Sequence, residues 1–93
     1  MSEDRIRRRA VIHGRVQGVA FRASTRAEAV RASVAGWVQN RPNGSVEAAF
    51  EGTPAAVEAM VAFCHRGPAW AKVSRVEVVN EPPEGESGFR IRR

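Results

Sequence analysis

A chain of 93 residues, 43% hydrophobic and 27% charged, allows one domain and is too apolar to stay disordered. Fifteen basic residues against ten acidic leave a net charge of +5, and every basic residue except Lys72 is arginine, a balance that suits a nucleic acid, an acidic surface or a small anion. No apolar run nears the ~20 residues of a membrane span, the opening MSEDRIRRR lacks the apolar stretch of a secretory signal, and Cys64 with His13 and His65 is too small a ligand set for zinc. The expectation is a cytoplasmic, metal-free and cofactor-free domain over residues 1–93.

Residues 5–13 begin with Arg and apolar residues in alternation and end β-branched, which predicts a strand. Gly14 to Val19 hold two glycines among small residues and predict a tight loop. Phe21 to Val34 are helix formers with Phe21, Thr25, Ala29 and Ala32 near one face. A strand over Ala35–Asn40 follows, then Pro42-Asn43-Gly44, read as a hairpin with a type I′ turn, and a returning strand over Ser45–Glu51. Thr53-Pro54 starts a second helix, Val57, Met60, Val61 and Cys64 repeat at helical spacing, and Gly67-Pro68 stops it. Lys72–Val79 alternate as a strand, residues 80–88 form a Pro- and Gly-rich loop, and Phe89-Arg90-Ile91 is a short terminal strand.

The order β-α-β-β-α-β with a short extra C-terminal strand predicts a ferredoxin-like α+β sandwich: an antiparallel sheet carrying both helices on one face. Its open face accommodates the arginines of the first strand, and the clusters Arg5/Arg7/Arg8/Arg9 and Arg90/Arg92/Arg93 are expected to be solvated. This fold hosts many functions, so function must come from a site.

The segment from Ile12 to Arg22 joins a strand to a helix. Such a turn presents backbone N–H groups beside the positive end of a helix dipole, glycines permit the curvature, and Arg22 adds a two-pronged cation for phosphate oxygens. The turn matches neither G-x-x-x-x-G-K-[ST] nor G-x-G-x-x-G.

Gly14-Arg15-Val16-Gln17-Gly18-Val19-Ala20-Phe21-Arg22 fits G-x-V-Q-G-V-x-F-R, the first signature of the acylphosphatase family, and Gly36-Trp37-Val38-Gln39-Asn40 followed by Gly44-Ser45-Val46 and Gly52 fits the second. The chain therefore resembles an acylphosphatase over nearly its whole length. The resemblance implies a metal-free hydrolase that cleaves acyl phosphates to a carboxylate and inorganic phosphate. It also implies that Arg22 and the loop Arg15, Val16, Gln17, Gly18, Val19 and Ala20 bind the phosphate while Asn40 positions the attacking water. Such chemistry depends on positioning and charge stabilisation rather than on a base, because the carboxylate leaves readily. Three positions depart from the family pattern. Asn43 stands where Asp is usual, Ser33 where a helix-ending glycine is common, and Trp70 where a small residue or proline is common.

Gln17 is expected to bond across the loop, and Arg15 to carry a solvated side chain. Trp37 and Cys64 are expected to pack, and His13 and His65 to have no catalytic role. The competing class is a non-catalytic basic ferredoxin-like domain, regulatory or RNA-binding. RNA binding on the sheet needs exposed aromatics on the central strands, and the third strand offers only Phe50, so nucleic acid is disfavoured as a partner. Sequence does not set the oligomeric state.

Overall fold

In the computed structural model, which describes residues 4–93, alternation along the first strand decides the layering. β1 (Ile6–Arg15) buries Ala10 and Ile12 completely and turns Arg7, Arg9 and Val11 to its other side. It is followed by α1 (Phe21–Arg31), β2 (Ala35–Asn40), β3 (Val46–Gly52), α2 (Pro54–Arg66), β4 (Lys72–Glu81) and β5 (Phe89–Ile91). The strands lie in the order β4-β1-β3-β2-β5. α2 packs on β1 and β4, α1 packs on β2 and β5, and the helices touch each other. This is the expected ferredoxin-like arrangement. The sheet, however, is mixed rather than antiparallel throughout, because β5 runs parallel to β2 with Val38 opposite Ile91.

The caps of α2 are where the sequence places them. The Thr53 side chain accepts a hydrogen bond from the Ala56 N–H at 3.3 Å, Pro54 opens the helix, and Gly67 ends it at φ 70°. Val57, Met60, Phe63 and Cys64 face the core. Burial pushes the Cys64 thiol up to about 12. Between the layers, Phe21 meets Phe63 with ring centroids 6.1 Å apart, and Phe50 stacks on Phe89 at 5.9 Å. α1 ends at Arg31, earlier than expected, and Ser33 takes φ 60°, a left-handed geometry that favours glycine.

Two local expectations are corrected. β1 continues through Gly14 and Arg15, which pair with Val73 and Lys72 after a register shift at His13/Gly14. Gly14 stands at φ 122°, and a Cβ there would collide with the Lys72 carbonyl oxygen, so this glycine serves the bulge rather than the loop. The hairpin is not type I′, since among its residues only Gly44 has positive φ, at 93°. Pro42 holds its own φ near −65° and so occupies the second position of a turn closed by the Gly44 N–H on the Arg41 carbonyl at 3.1 Å. The Asn43 side-chain oxygen accepts from the Ser45 N–H (3.0 Å) and hydroxyl (2.6 Å).

Of the first-strand arginines, Arg8 lies on the helix side with Ala10 and Ile12, 2.6 Å from Glu58 of α2, whereas Arg7 and Arg9 lie on the open face as expected. Arg7 is not solvated. It is 4% exposed and bonds to Glu81 (3.0 Å), Glu51 (3.2 Å) and Glu86 (3.3 Å). Topology supplies the reason. β4 and β5 occupy opposite edges, so residues 82–88 must cross the sheet, and they do so over Arg7 and Glu51. Fully buried Glu51 accepts the N–H groups of Glu84 (2.9 Å), Gly85 (2.8 Å) and Glu86 (3.3 Å). Burial alone would raise the Glu51 pKa, but these bonds and Arg7 hold it below the ordinary value. Burial likewise works against the Arg7 charge, and the surrounding carboxylates outweigh it and raise the pKa. No helix among the described residues is long and apolar enough to cross a membrane.

Candidate active site

The turn from β1 into α1 is held open by its own sequence. Gly18 (φ 76°) and Ala20 (φ 63°) both take left-handed backbone on either side of Val19, which curls the loop. For Ala20 this geometry costs on the order of 1 kcal/mol. Ala20 is also the N-cap residue of α1 and has no side chain to cap with, and the first turn holds no acid. The first intrahelical bond runs from the Ser24 N–H to the Ala20 carbonyl at 3.0 Å. Among the described residues, the N–H groups from Val16 to Ala23 find no acceptor within the protein. Gln17 anchors the loop from the side, donating to the carbonyls of Arg41 (2.8 Å) and Ser45 (2.9 Å). That tie joins the loop to the hairpin that follows Asn40.

The result is a cleft of about 210 Å³ lined by Val16, Gly18, Ala20 and Phe21 from the loop and helix start, by Arg22, by Asn40 at the end of β2, and by Ile91 and Arg93. Arg22 and Asn40, eighteen positions apart in sequence, are thus brought to one hollow. Neither finds a side-chain hydrogen-bond or ion-pair partner among the described residues. A guanidinium, free amides, a helix N-terminus and a carboxamide converge there, a set suited to a tetrahedral anion with a water beside it.

The remaining sequence-predicted residues divide. Val16, Gly18 and Ala20 line the cleft. Arg15, Gln17 and Val19 do not: Gln17 reaches the hairpin, and Arg15 and Val19 line a separate groove. His13 is half-buried on β1, 3.3 Å from Glu77, and His65 lies against the Val61 carbonyl at 3.1 Å, and neither lines the cleft. Trp37 packs at 7% exposure with the Arg92 guanidinium 4.2 Å over its ring. Arg93 and Ile91 were not anticipated. The parallel β2–β5 pairing, with the Arg92 N–H on the Val38 carbonyl at 2.8 Å, brings Arg93 level with Asn40. No local pattern around Arg93 signals this, because the pairing spans half the chain.

Fold and cleft together define a ferredoxin-like α+β domain with a cleft suited to an anion at its first strand–helix turn. The sequence model described as Acylphosphatase matches residues 8–91, and the chain belongs to the acylphosphatase family. It is 54% identical to an acylphosphatase of Synechococcus sp. across 96% of this chain and 95% of that protein. It is 52% identical to an acylphosphatase of Thermococcus kodakarensis across 94% and 96%. It also superposes on the crystal structure of an acylphosphatase from Bacillus subtilis with a TM-score of 0.91 at 36% identity, covering 95% of this chain and 99% of that one.

Proposed function

We propose that the cleft holds the phosphate of an acyl phosphate between Arg22 and the amides of residues 15–20, and that Asn40 positions the water that attacks it. The chain, as an acylphosphatase-family enzyme, hydrolyses the carboxyl–phosphate bond to a carboxylate and inorganic phosphate. The observation that carries the residue assignment is the meeting of Arg22 and Asn40 in one cleft with Val16, Gly18 and Ala20, from a turn whose N–H groups find no acceptor among the described residues.

In this reading the amides and the Arg22 guanidinium meet the equatorial phosphate oxygens, where charge is spread in the transition state. The Asn40 carboxamide oxygen accepts a hydrogen bond from water and aims its lone pair at phosphorus. The water oxygen bonds to phosphorus as the phosphorus–acyl oxygen bond breaks. The bonding pair leaves with the carboxylate, and the water proton passes to a phosphate oxygen. A carboxylate is stable enough to leave without a general acid, which fits a cleft that, among the described residues, is lined by no His, Cys, Asp or Glu. Residues 1–93 act in this proposal as one catalytic unit in the cytoplasm, with acyl phosphate and inorganic phosphate as ligands.

The test is turnover of benzoyl phosphate by wild type and by Asn40→Ala. Wild type is expected to hydrolyse it, and Asn40→Ala to lose kcat by roughly a hundredfold while inhibition by inorganic phosphate persists. Loss of phosphate inhibition together with kcat overturns the water-positioning role. No turnover by wild type overturns the reaction itself.

A further inference from the structure

Gly18 stands on a crest between two hollows. On one side lies the Arg22–Asn40 cleft, and on the other a larger groove of about 560 Å³, whose lining includes Arg15, Gly18, Val19, Trp70 and Lys72. Two features of this groove have no structural use, and a third leaves its rim open. Trp70 is 81% exposed, the most exposed of the large apolar residues, on a turn fixed by the Ala71 N–H bonding the Pro68 carbonyl at 3.0 Å. Arg15 and Lys72 are direct cross-strand partners at the end of β1 and β4. Like charges in that position repel, and neither finds a carboxylate among the described residues. Gly18 lines both hollows, and a Cβ built there meets nothing within 4 Å, so the crest is open at this position.

We propose that this groove takes the acyl portion of the substrate: an acyl phosphate whose carbon skeleton crosses the crest at Gly18, lies on the Trp70 ring and ends in a second anionic group between Arg15 and Lys72. The assignment rests on the phosphate reading of the neighbouring cleft. Trp70 supplies a flat apolar face for the skeleton. The paired cations gain an anion that relieves their repulsion, and the acyl phosphate gains a second point of attachment remote from the reacting bond. Binding energy collected there fixes the angle at which the carboxylate leaves.

The experiment compares 4-carboxybenzoyl phosphate, which has a flat skeleton and a distal carboxylate, with acetyl phosphate, which is too short to leave the cleft. The readout is the ratio of their kcat/KM values in wild type, Trp70→Ala, Trp70→Phe and Lys72→Gln. Trp70 is exposed and Lys72 lies on an edge strand, so all three variants are expected to fold. The ratio is expected to fall about tenfold in Trp70→Ala and in Lys72→Gln through KM for the longer substrate, and to stay within about twofold of wild type in Trp70→Phe. A ratio within about twofold of wild type in either Trp70→Ala or Lys72→Gln overturns the assignment. If acetyl phosphate is turned over while the ratio stays flat, the groove assignment alone falls. If wild type turns over neither substrate, the hydrolase reading falls with it.

Discussion

The two ends of the sheet carry the same device in different states. At one end, Glu51 lies buried against the consecutive amides of Glu84, Gly85 and Glu86 with Arg7 beside it. At the other, the amides of the β1–α1 loop have no acceptor, and the loop lines a cleft with Arg22 and, among the described residues, no carboxylate. Both are anion cradles of main-chain N–H groups plus one guanidinium. The first is filled by the chain's own glutamate and works as a clamp that holds the β4–β5 crossing. The second is a surface cleft, which we propose takes the substrate phosphate. An arginine therefore reads as structural or functional by what already surrounds it. Arg7 has four carboxylates within 3.6 Å, whereas Arg22, Arg15, Arg41, Lys72 and Arg93 find none among the described residues. Of the cations without a carboxylate among the described residues, Arg22 and Arg93 line the cleft and Arg15 and Lys72 line the groove beside it, while Arg26, Arg41, Arg66 and Arg92 line neither. The net charge of +5 attracts anions in a way that salt screens.

If the contrast holds, removing each arginine system damages a different property. Arg22→Ala is expected to lower kcat/KM by a hundredfold or more, about 3 kcal/mol, with thermal stability unchanged. Steady-state kinetics with benzoyl phosphate beside a melting curve check it, and a loss within threefold removes Arg22 from the mechanism. Glu51→Ala is expected to do the reverse. It leaves Arg7 buried beside fewer carboxylates and frees three N–H groups, at a cost of about 3 kcal/mol. For a domain of this size that is a fall in Tm of roughly 12–20 °C, read by circular dichroism.

A smaller effect appears with pH. The Glu51 pKa is depressed in the folded state, so its stabilisation is fully present above the ordinary Glu pKa of about 4.3 and is lost as pH falls through the lower folded value. Urea midpoints between pH 6 and pH 2.5 are expected to drop along that limb in wild type and to flatten in Glu51→Gln. Equal slopes in both proteins would show that the clamp does not titrate. The smallest expected change is at Ser33, whose φ of 60° strains a side-chain-bearing residue. Ser33→Gly is expected to add about 0.5–1 kcal/mol of stability without altering kcat, a gain visible in the urea midpoint.

Local sequence was sufficient wherever local physics decides. Period-two and period-3.6 patterns marked the strands and helices, and Thr53-Pro54 and Gly67-Pro68 bounded α2. Arg22 and Asn40 were singled out by the likeness to a family rather than by local physics, and the fold brings both to one cleft. The type I′ reading of Asn43-Gly44 failed because Pro42, one residue earlier, imposes its own φ on the turn. Val61 stood in the predicted helical stripe, yet Phe63 is the more deeply buried of the two.

What could not be read locally depends on partners far away in the chain. The expectation that Arg7 is solvated failed because its environment is made by Glu51, Glu81, Glu84 and Glu86, which only the crossing of residues 82–88 brings over β1. Arg93 joins the cleft only because β5 pairs parallel to β2. Arg15 and Lys72 face each other only through the register of β1 on β4. Hydrophobic period and capping chemistry act over a few residues and are written in the chain. The company that a charged side chain keeps is set by strand order and register, and those emerge only when the whole sheet has formed.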